Sequence, residues 1–365
     1  MNEKPTIKDV ARIAGVHFST VSMALRGEDC IPESTRERIR KTADQLGYVR
    51  DPVLMALTRH RLQTAMTTAP QRIALLSNRS PEAGFFRSYP HYRLIAKGVK
   101  SQAAQLGYEC ELLFLDRGHY NSKTLHRRLR SLGVKGLVMA AFESERRTLE
   151  LPWEEFCAVK IDSRELLPDF HFVSVDQLHY TRLAFQKMRA LGYRRIGMAV
   201  GTEDEKAVGD LHTAGLRLEQ AAIPEAERVD PFYFTPKMDT PLAREALLPW
   251  IKRERIDAVI SNWSQVRLLV RPDDERTGPK VACAAMCKAT HSSRLAGIVG
   301  DIQLVGKRAT MLLASLLRAG QFGIPASPTS TYIQGVWQDG ASAPVCTAHG
   351  SGEKERTFCK VRRAE

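Results

Sequence analysis

The stretch TIKDVARIAGVHFSTVSMALRG, Thr6 to Gly27, decides how the N-terminal part of this chain folds. Thr6 can cap a helix with its hydroxyl, and Asp9, three residues on, is placed as the reciprocal partner in a capping box. Ile7, Val10, Ala11 and Ala14 follow helical spacing and form one apolar stripe. Gly15 supplies the left-handed residue that ends a helix at little cost. In the next helix Val21, Ala24 and Leu25 form the face to be buried, with Phe18 on its edge. Ser19, Ser22, Met23 and Arg26 form a separate, outward stripe. Two short helices, a glycine turn and a small alanine at the crossing describe a helix-turn-helix.

Outward from there, PESTRERIRKTADQLG predicts a third helix that starts at Pro32 and stops at Gly47. Ile39, Ala43 and Leu46 point inward and complete a three-helix core. By pattern alone such a unit suits either a DNA-reading head or a small helical bundle with no nucleic-acid role. Next comes YVRDPVLMALTRHR, in which Asp51 suits a cap and Pro52 a first helical position. Val53, Leu54, Ala56 and Leu57 make a short helix apolar nearly all round. About seven residues cannot hold a helix alone in water, so this one needs a partner.

From Gln71 the pattern alternates. RIALLSN, YECELLFLD, VKGLVMAA, FCAVKID, RIGMAVG, FYFTP, DAVISN and PKVACAA read as short apolar strands. Helical stretches such as RLIAKGVKSQAAQLG, LAFQKMRALG and PLAREALLPWIKRE separate them. The alternation predicts parallel sheets with helices on both faces, in two units with a cleft at the carboxyl ends of the strands.

The chain of 365 residues has room for two or three cored domains. It has no run of about eighteen apolar residues, and MNEKPTIKDV lacks the apolar core of a signal peptide, so no membrane partner is expected. Seven cysteines at irregular spacing make no disulfide framework and fit a reducing cytoplasm. The net charge of +13 points weakly to a polyanion. Residues 1–63 hold eleven Lys or Arg against eight Asp or Glu, so most of that excess lies outside the head. No G-x-S-x-G, P-loop or H-E-x-x-H motif is present, so neither an enzyme nor a cofactor is expected. Cys283, Cys287 and His291 lack a fourth ligand and predict no metal site.

The segment from Thr6 to Gly27, followed by RERIRKTADQLGY, resembles the N-terminus of the LacI family of bacterial transcription regulators. The resemblance rests on Asp9, Val10, Ala11, Gly15, Val16, Thr20, Val21, Ser22, Thr35, Arg36 and the LGY at 46–48. It implies that the helix from His17 to Arg26 lies in the major groove of an operator. Thr6, Thr20, Ser22 and Thr35 would bond phosphates, while Phe18, Ser19 and Met23 face base edges. Family members usually carry arginine where this chain has Met23, and methionine has no donor for guanine. Apolar contact is expected there, with Arg26 as the nearest group for a base or a phosphate. In the family two hinge helices pair in a dimer and push a leucine into the minor groove. Leu57 matches it by register, and Arg59 would contact phosphate. Leu54 replaces the usual small alanine.

The core also resembles that family, whose lobes are like periplasmic sugar-binding proteins. FVSVDQLHYTRLAFQKMRALGYRRIGMAVG and GIPASPTSTYIQGVW carry the likeness. The fold class implied is a small all-α helix-turn-helix head plus an α/β core of two doubly wound parallel-sheet lobes. The head spans 1–49, the hinge helix and linker 50–70, the first lobe 71–174 plus 302–328, and the second 175–301 plus 329–341. A disordered tail takes up 342–365. The implied partners are a double-stranded DNA operator, a second copy of the chain, and a carbohydrate-like effector in the cleft. Candidate effector residues are Asn78, Tyr92, Arg164, Asp176, His212, Trp263 and Asp301. The match weakens here: His212 stands where arginine is frequent, Trp263 follows Asn262 in place of aspartate, and Ala285 replaces another aspartate. Phe85, Phe86, Tyr89, His91 and Tyr92 either line a pocket or bury their own loop. The alternative is a DNA-binding regulator whose core only dimerises.

Overall fold

A computed structural model describes residues 5–26, 31–48, 71–78, 90–115, 121–142, 148–235, 240–263, 266–270, 281–288, 291 and 294–346. The chain divides into two units, 1–69 and 70–365.

The first unit holds α1 (Ile7–Ala14), α2 (Phe18–Arg26) and α3 (Glu33–Leu46). Val10, Ala11, Ala14, Val21, Ala24, Ile31, Ile39 and Ala43 form its core. Leu46 is half-buried beside them. Pro32 is the cap of α3 and not its first helical residue; Gly47 ends that helix at φ 64°. The hinge stretch, with Leu57 and Arg59, lies outside the described residues.

The second unit carries two six-stranded sheets. The first contains β1 (Gln71–Ser77), β2 (Tyr108–Phe114), β3 (Val134–Ala140), β4 (Cys157–Ile161), β5 (His171–Val175) and β11 (Ser330–Ile333), in the order β11-β5-β4-β3-β1-β2. The second contains β6 (Ile196–Gly201), β7 (Phe232–Phe234), β8 (Ala258–Ser261), β9 (Ala282–Lys288), β10 (Ala296–Gly300) and β12 (Gly335–Gln338), in the order β12-β10-β9-β8-β6-β7. All pairs are parallel except β10 with β12. Both sheets thus run outward in two directions from a switch point, β1/β3 in one and β6/β8 in the other. Crevices at such points, beyond the strand carboxyl ends, are where doubly wound folds take ligands.

In the first lobe α4 (Pro90–Gln105) packs on α11 (Ile302–Ala319). Gly98 and Gly306 let these helices touch, because a Cβ on either would strike the other helix's backbone. The outer helix α5 (Ser122–Ser131) buries only Leu125 and Leu129. It exposes Lys123, Arg127, Arg128 and Arg130 with no acidic residue, which places part of the charge excess far from the head in sequence. The second lobe contains α6 (Gln177–Ala190), α7 (Thr202–Ala207), α8 (Leu211–Ala221), α9 (Thr240–Arg253) and α10 (Val266–Val270).

Two boundaries differ from those read in the sequence. Ser330–Ile333 pairs with β5, so this segment belongs to the first sheet and the last crossing falls at Gln334. Residues 342–346 are ordered on the second lobe and are not tail. The Ser342 hydroxyl donates to the Cys283 carbonyl at 2.6 Å, Tyr193 OH to the Pro344 carbonyl at 2.6 Å, and the Cys346 N–H to the Leu191 carbonyl at 2.8 Å.

Candidate functional site

In the head, the N–H and hydroxyl of Thr6 both donate to Asp9 Oδ2, at 2.9 and 2.7 Å. These bonds, the hydroxyl's first, hold the Asp9 carboxyl below its usual range. The expected reciprocal partner is therefore in place. Gly15 sits at φ 64° and its N–H closes on the Ala11 carbonyl, which turns the chain into α2.

On α2, Val21 and Ala24 are fully buried, whereas Phe18 is 48% exposed and Ser19 is exposed. Thr20 and Ser22 are half-buried, as is Thr35 on α3. Met23 does not stand free on an outward stripe: it is half-buried and packs against the head core. A long, unbranched thioether can reach back over apolar neighbours in this way. The side chain of Arg26 lies outside the described residues. His17 emerges as a further candidate. Its Nδ1 lies 2.8 Å from Ser19 Oγ and its ring centroid 4.2 Å from that of Phe18, so three exposed groups form one unit at the start of α2.

In the core, Ser77 Oγ donates to the Ala141 carbonyl at 3.1 Å and closes the first switch point, beside buried Asn78. At the second, Asn262 accepts from the Gly201 N–H at 3.3 Å and donates to Asp204 Oδ2 at 3.1 Å. Between them runs a polar chain that crosses from lobe to lobe. His91 Nε2, on α4, stands 2.7 Å from Asp162 Oδ2, just past β4. Ser174 Oγ donates to Asp162 Oδ1, and Gln177 Nε2 donates to Ser174 Oγ at 2.7 Å. Thr181 Oγ1 donates to the Gln177 carbonyl at 3.0 Å and meets His212 Nδ1, on α8, at 3.0 Å. Burial pushes the His212 pKa down to about 4, against a smaller upward pull from Asp204 and Asp162. Its imidazole is neutral at pH 7.

The seven residues expected to bind an effector divide. His212 is on the polar chain. Tyr92 is half-buried on α4, edge-on to His91 with centroids 5.3 Å apart. Asn78 is buried beside the first switch point, and the remaining four have structural partners. Asp176 caps α6 through the His179 N–H at 2.9 Å, and Asp301 caps α11 through the Leu304 N–H at 2.9 Å. Arg164 Nη1 donates to Tyr332 OH at 2.8 Å, and its N–H donates to the Ala207 carbonyl at 2.9 Å. Trp263 lies against Phe234, centroids 4.8 Å apart, and packs on the apolar cluster of Val259, Cys283 and Ala285. Phe85, Phe86 and Tyr89 fall outside the described residues. Sequence reasoning misses Asp162, Ser174, Gln177 and Thr181. The available signal was an Asp directly after an apolar strand, at the left-handed φ of 51°.

Comparison with known proteins bears on both parts. Residues 6–51 match the sequence model of the family described as "Bacterial regulatory proteins, lacI family". The head belongs to the LacI family. The LacI-family relatives include the HTH-type transcriptional regulator CelR of Thermobifida fusca, 26% identical over 55% of this chain and 57% of that protein. The HTH-type transcriptional repressor CytR of Escherichia coli (strain K12) is 26% identical over 54% of each chain. The chain thus spans a little over half the length of these two curated relatives. Both are transcription regulators and not enzymes. Among solved structures, a transcriptional regulator CelR–cellobiose complex superposes with a TM-score of 0.57 at 20% identity, over 93% of this chain and 99% of that one. The lac repressor dimer bound to operator and the anti-inducer ONPF gives 0.56 at 17% identity, over 94% and 100%. At such identities the likeness is one of fold, and it covers both units. Among the described residues no helix is long and apolar enough to cross a membrane.

Proposed function

We propose that this chain is a sequence-specific DNA-binding transcription regulator, a repressor, working in the cytoplasm as a homodimer on a near-palindromic operator. The observation that carries the reading is the LacI-family head, in which His17, Phe18 and Ser19 are exposed together at the start of the second helix. Phe18, Ser19 and Met23 meet base edges, Thr6, Thr20, Ser22 and Thr35 anchor phosphates, and Arg26 serves either. Leu57 and Arg59 act in the hinge, residues 50–70, between a head at 1–49 and the two lobes. Two-fold symmetry in the protein calls for two matching half-sites in the DNA.

A small molecule of the carbohydrate class, held between the lobes, modulates binding. The interlobe polar chain supports this reading, as does the cellobiose of the CelR complex. Such a ligand shifts DNA affinity only as far as it binds one lobe arrangement better than the other. One observation favours a second reading, a core that only dimerises: Asp176, Asp301, Arg164 and Trp263 are already engaged within the protein.

Crosslinking the chain to DNA in its own cells and sequencing the recovered fragments tests the proposal. A small set of loci that share an inverted repeat is expected. Uniform recovery across the genome would refute it.

A further inference from the structure

We infer that the interlobe site accepts a hydroxyl-rich ligand that is uncharged or carries an amine, and rejects acids and phosphates. The inference rests on the effector reading above and adds the polarity of the site, which follows from counting protons along the chain of hydrogen bonds.

Asp162 is 6% exposed and its carboxylate can only accept. Ser174 must therefore spend its one proton on Asp162 Oδ1, and its oxygen is left to accept from Gln177. That orients the Gln177 amide with Nε2 towards Ser174 and Oε1 away, whichever way the amide might otherwise turn. Gln177 is 4% exposed, and its Oε1 has no hydrogen-bond partner. A buried acceptor without a donor costs about 1–3 kcal/mol, so native proteins rarely keep one unless something fills it.

The other end of the chain gives the same sign independently. Thr181 sits inside α6 and donates to the carbonyl four residues back, as helical threonines do. Its oxygen then accepts from His212 Nδ1, which fixes the proton of the neutral imidazole on that nitrogen. Nε2 is left as a lone-pair acceptor, and no described residue bonds it. Two unfilled valences, Gln177 Oε1 and His212 Nε2, are both acceptors, so a ligand must bring donors.

Charge points the same way. Asp162, Asp176 and Asp301 are near enough to Tyr180 to add to the upward push that burial gives its hydroxyl, and Asp204 and Asp162 act likewise on His212. The described cations nearby are already bound. Lys160 Nζ is held by the Arg164 and Leu166 carbonyls and Asp169, and Arg164 by Tyr332. An anionic ligand would enter among carboxylates and meet lone pairs.

Thermal melting of the full chain against matched sets tests this. Each set contains a sugar, its amino sugar, its aldonic or uronic acid and its phosphate, built on glucose, galactose, ribose and cellobiose. The expected result is saturable stabilisation by a neutral or amino member, with at least tenfold weaker binding of its acid and phosphate. Gln177→Met, which keeps the volume and removes the acceptor, should weaken the bound member about tenfold. The ranking on the unaltered chain decides the matter even if that variant does not fold. Tighter binding of an acid or phosphate overturns the inference and leaves the effector reading standing. Silence from every set overturns both.

Discussion

Thr181 Oγ1 and His212 Nδ1 stand 3.0 Å apart and join the two helices α6 and α8 of the second lobe. The bond as read needs a proton on Nδ1, which either form of the ring carries, and it is the burial of the ring that makes a measurable demand on pH. The folded pKa is about 4, against an ordinary value of 6.5. Between those values the unfolded chain binds a proton that the folded chain does not, so stability rises with pH across the window. The full contribution is present above about pH 6.5 and is lost progressively down to about pH 4. His212→Gln preserves a donor to Thr181 and removes the titration. Melting temperatures from pH 4.5 to 6.5 should fall less steeply for the variant on acidification; parallel curves would contradict this role.

Tyr180 pins the last lobe crossing. Its hydroxyl donates to the Ile333 carbonyl at 3.1 Å, in a space that needs glycine at both 300 and 335. Tyr180→Phe should destabilise the core by about 1–3 kcal/mol, since a buried carbonyl loses its donor. Urea unfolding measures this directly. A midpoint unchanged from the parent would mean that the hydroxyl does not hold the crossing.

Ile39 is fully buried in the head. Truncating such a side chain to alanine costs about 2–5 kcal/mol, comparable with the whole stability of so small a core. Ile39→Ala should strip hydrogen-exchange protection from α1, α2 and α3 while the lobes keep theirs. Equal loss in both units would show that the head is not independently cored.

Met23 stands where the resemblance to the family leads one to expect arginine. It is half-buried on the head core, and a thioether offers a base no hydrogen-bond donor. Met23→Arg should introduce a preference for guanine at one position of each half-site, worth about 1–3 kcal/mol. Selection of sites by parent and variant, side by side, reads the change; identical motifs would remove Met23 from the reading face.

What was legible in the sequence was local. The cap at Thr6, the turn at Gly15 and the stripe through Val10, Ala14, Val21 and Ala24 act within a few residues, and each is present in the fold. Long apolar runs such as RIALLS likewise became buried strands. β11 escaped because only Ile333 of its four residues is buried and its partner β5 lies more than 150 residues earlier. Asp176 and Asp301 are the acidic groups the sequence leaves available for an effector, yet each is the cap of the following helix. The sequence does not distinguish these two uses. Nor does it bring Asp162 to His91, 71 residues away, or His212 to Thr181, 31 away. Those meetings are products of the sheet order.

Exposing the purified full chain to a library of random duplexes shows whether the head reads DNA sequence. Binding and recovery are repeated at low and at physiological salt. A near-palindromic motif should be enriched, with affinity falling steeply as salt rises because phosphate contacts release counterions. Recovery of no enriched motif at low salt would contradict it.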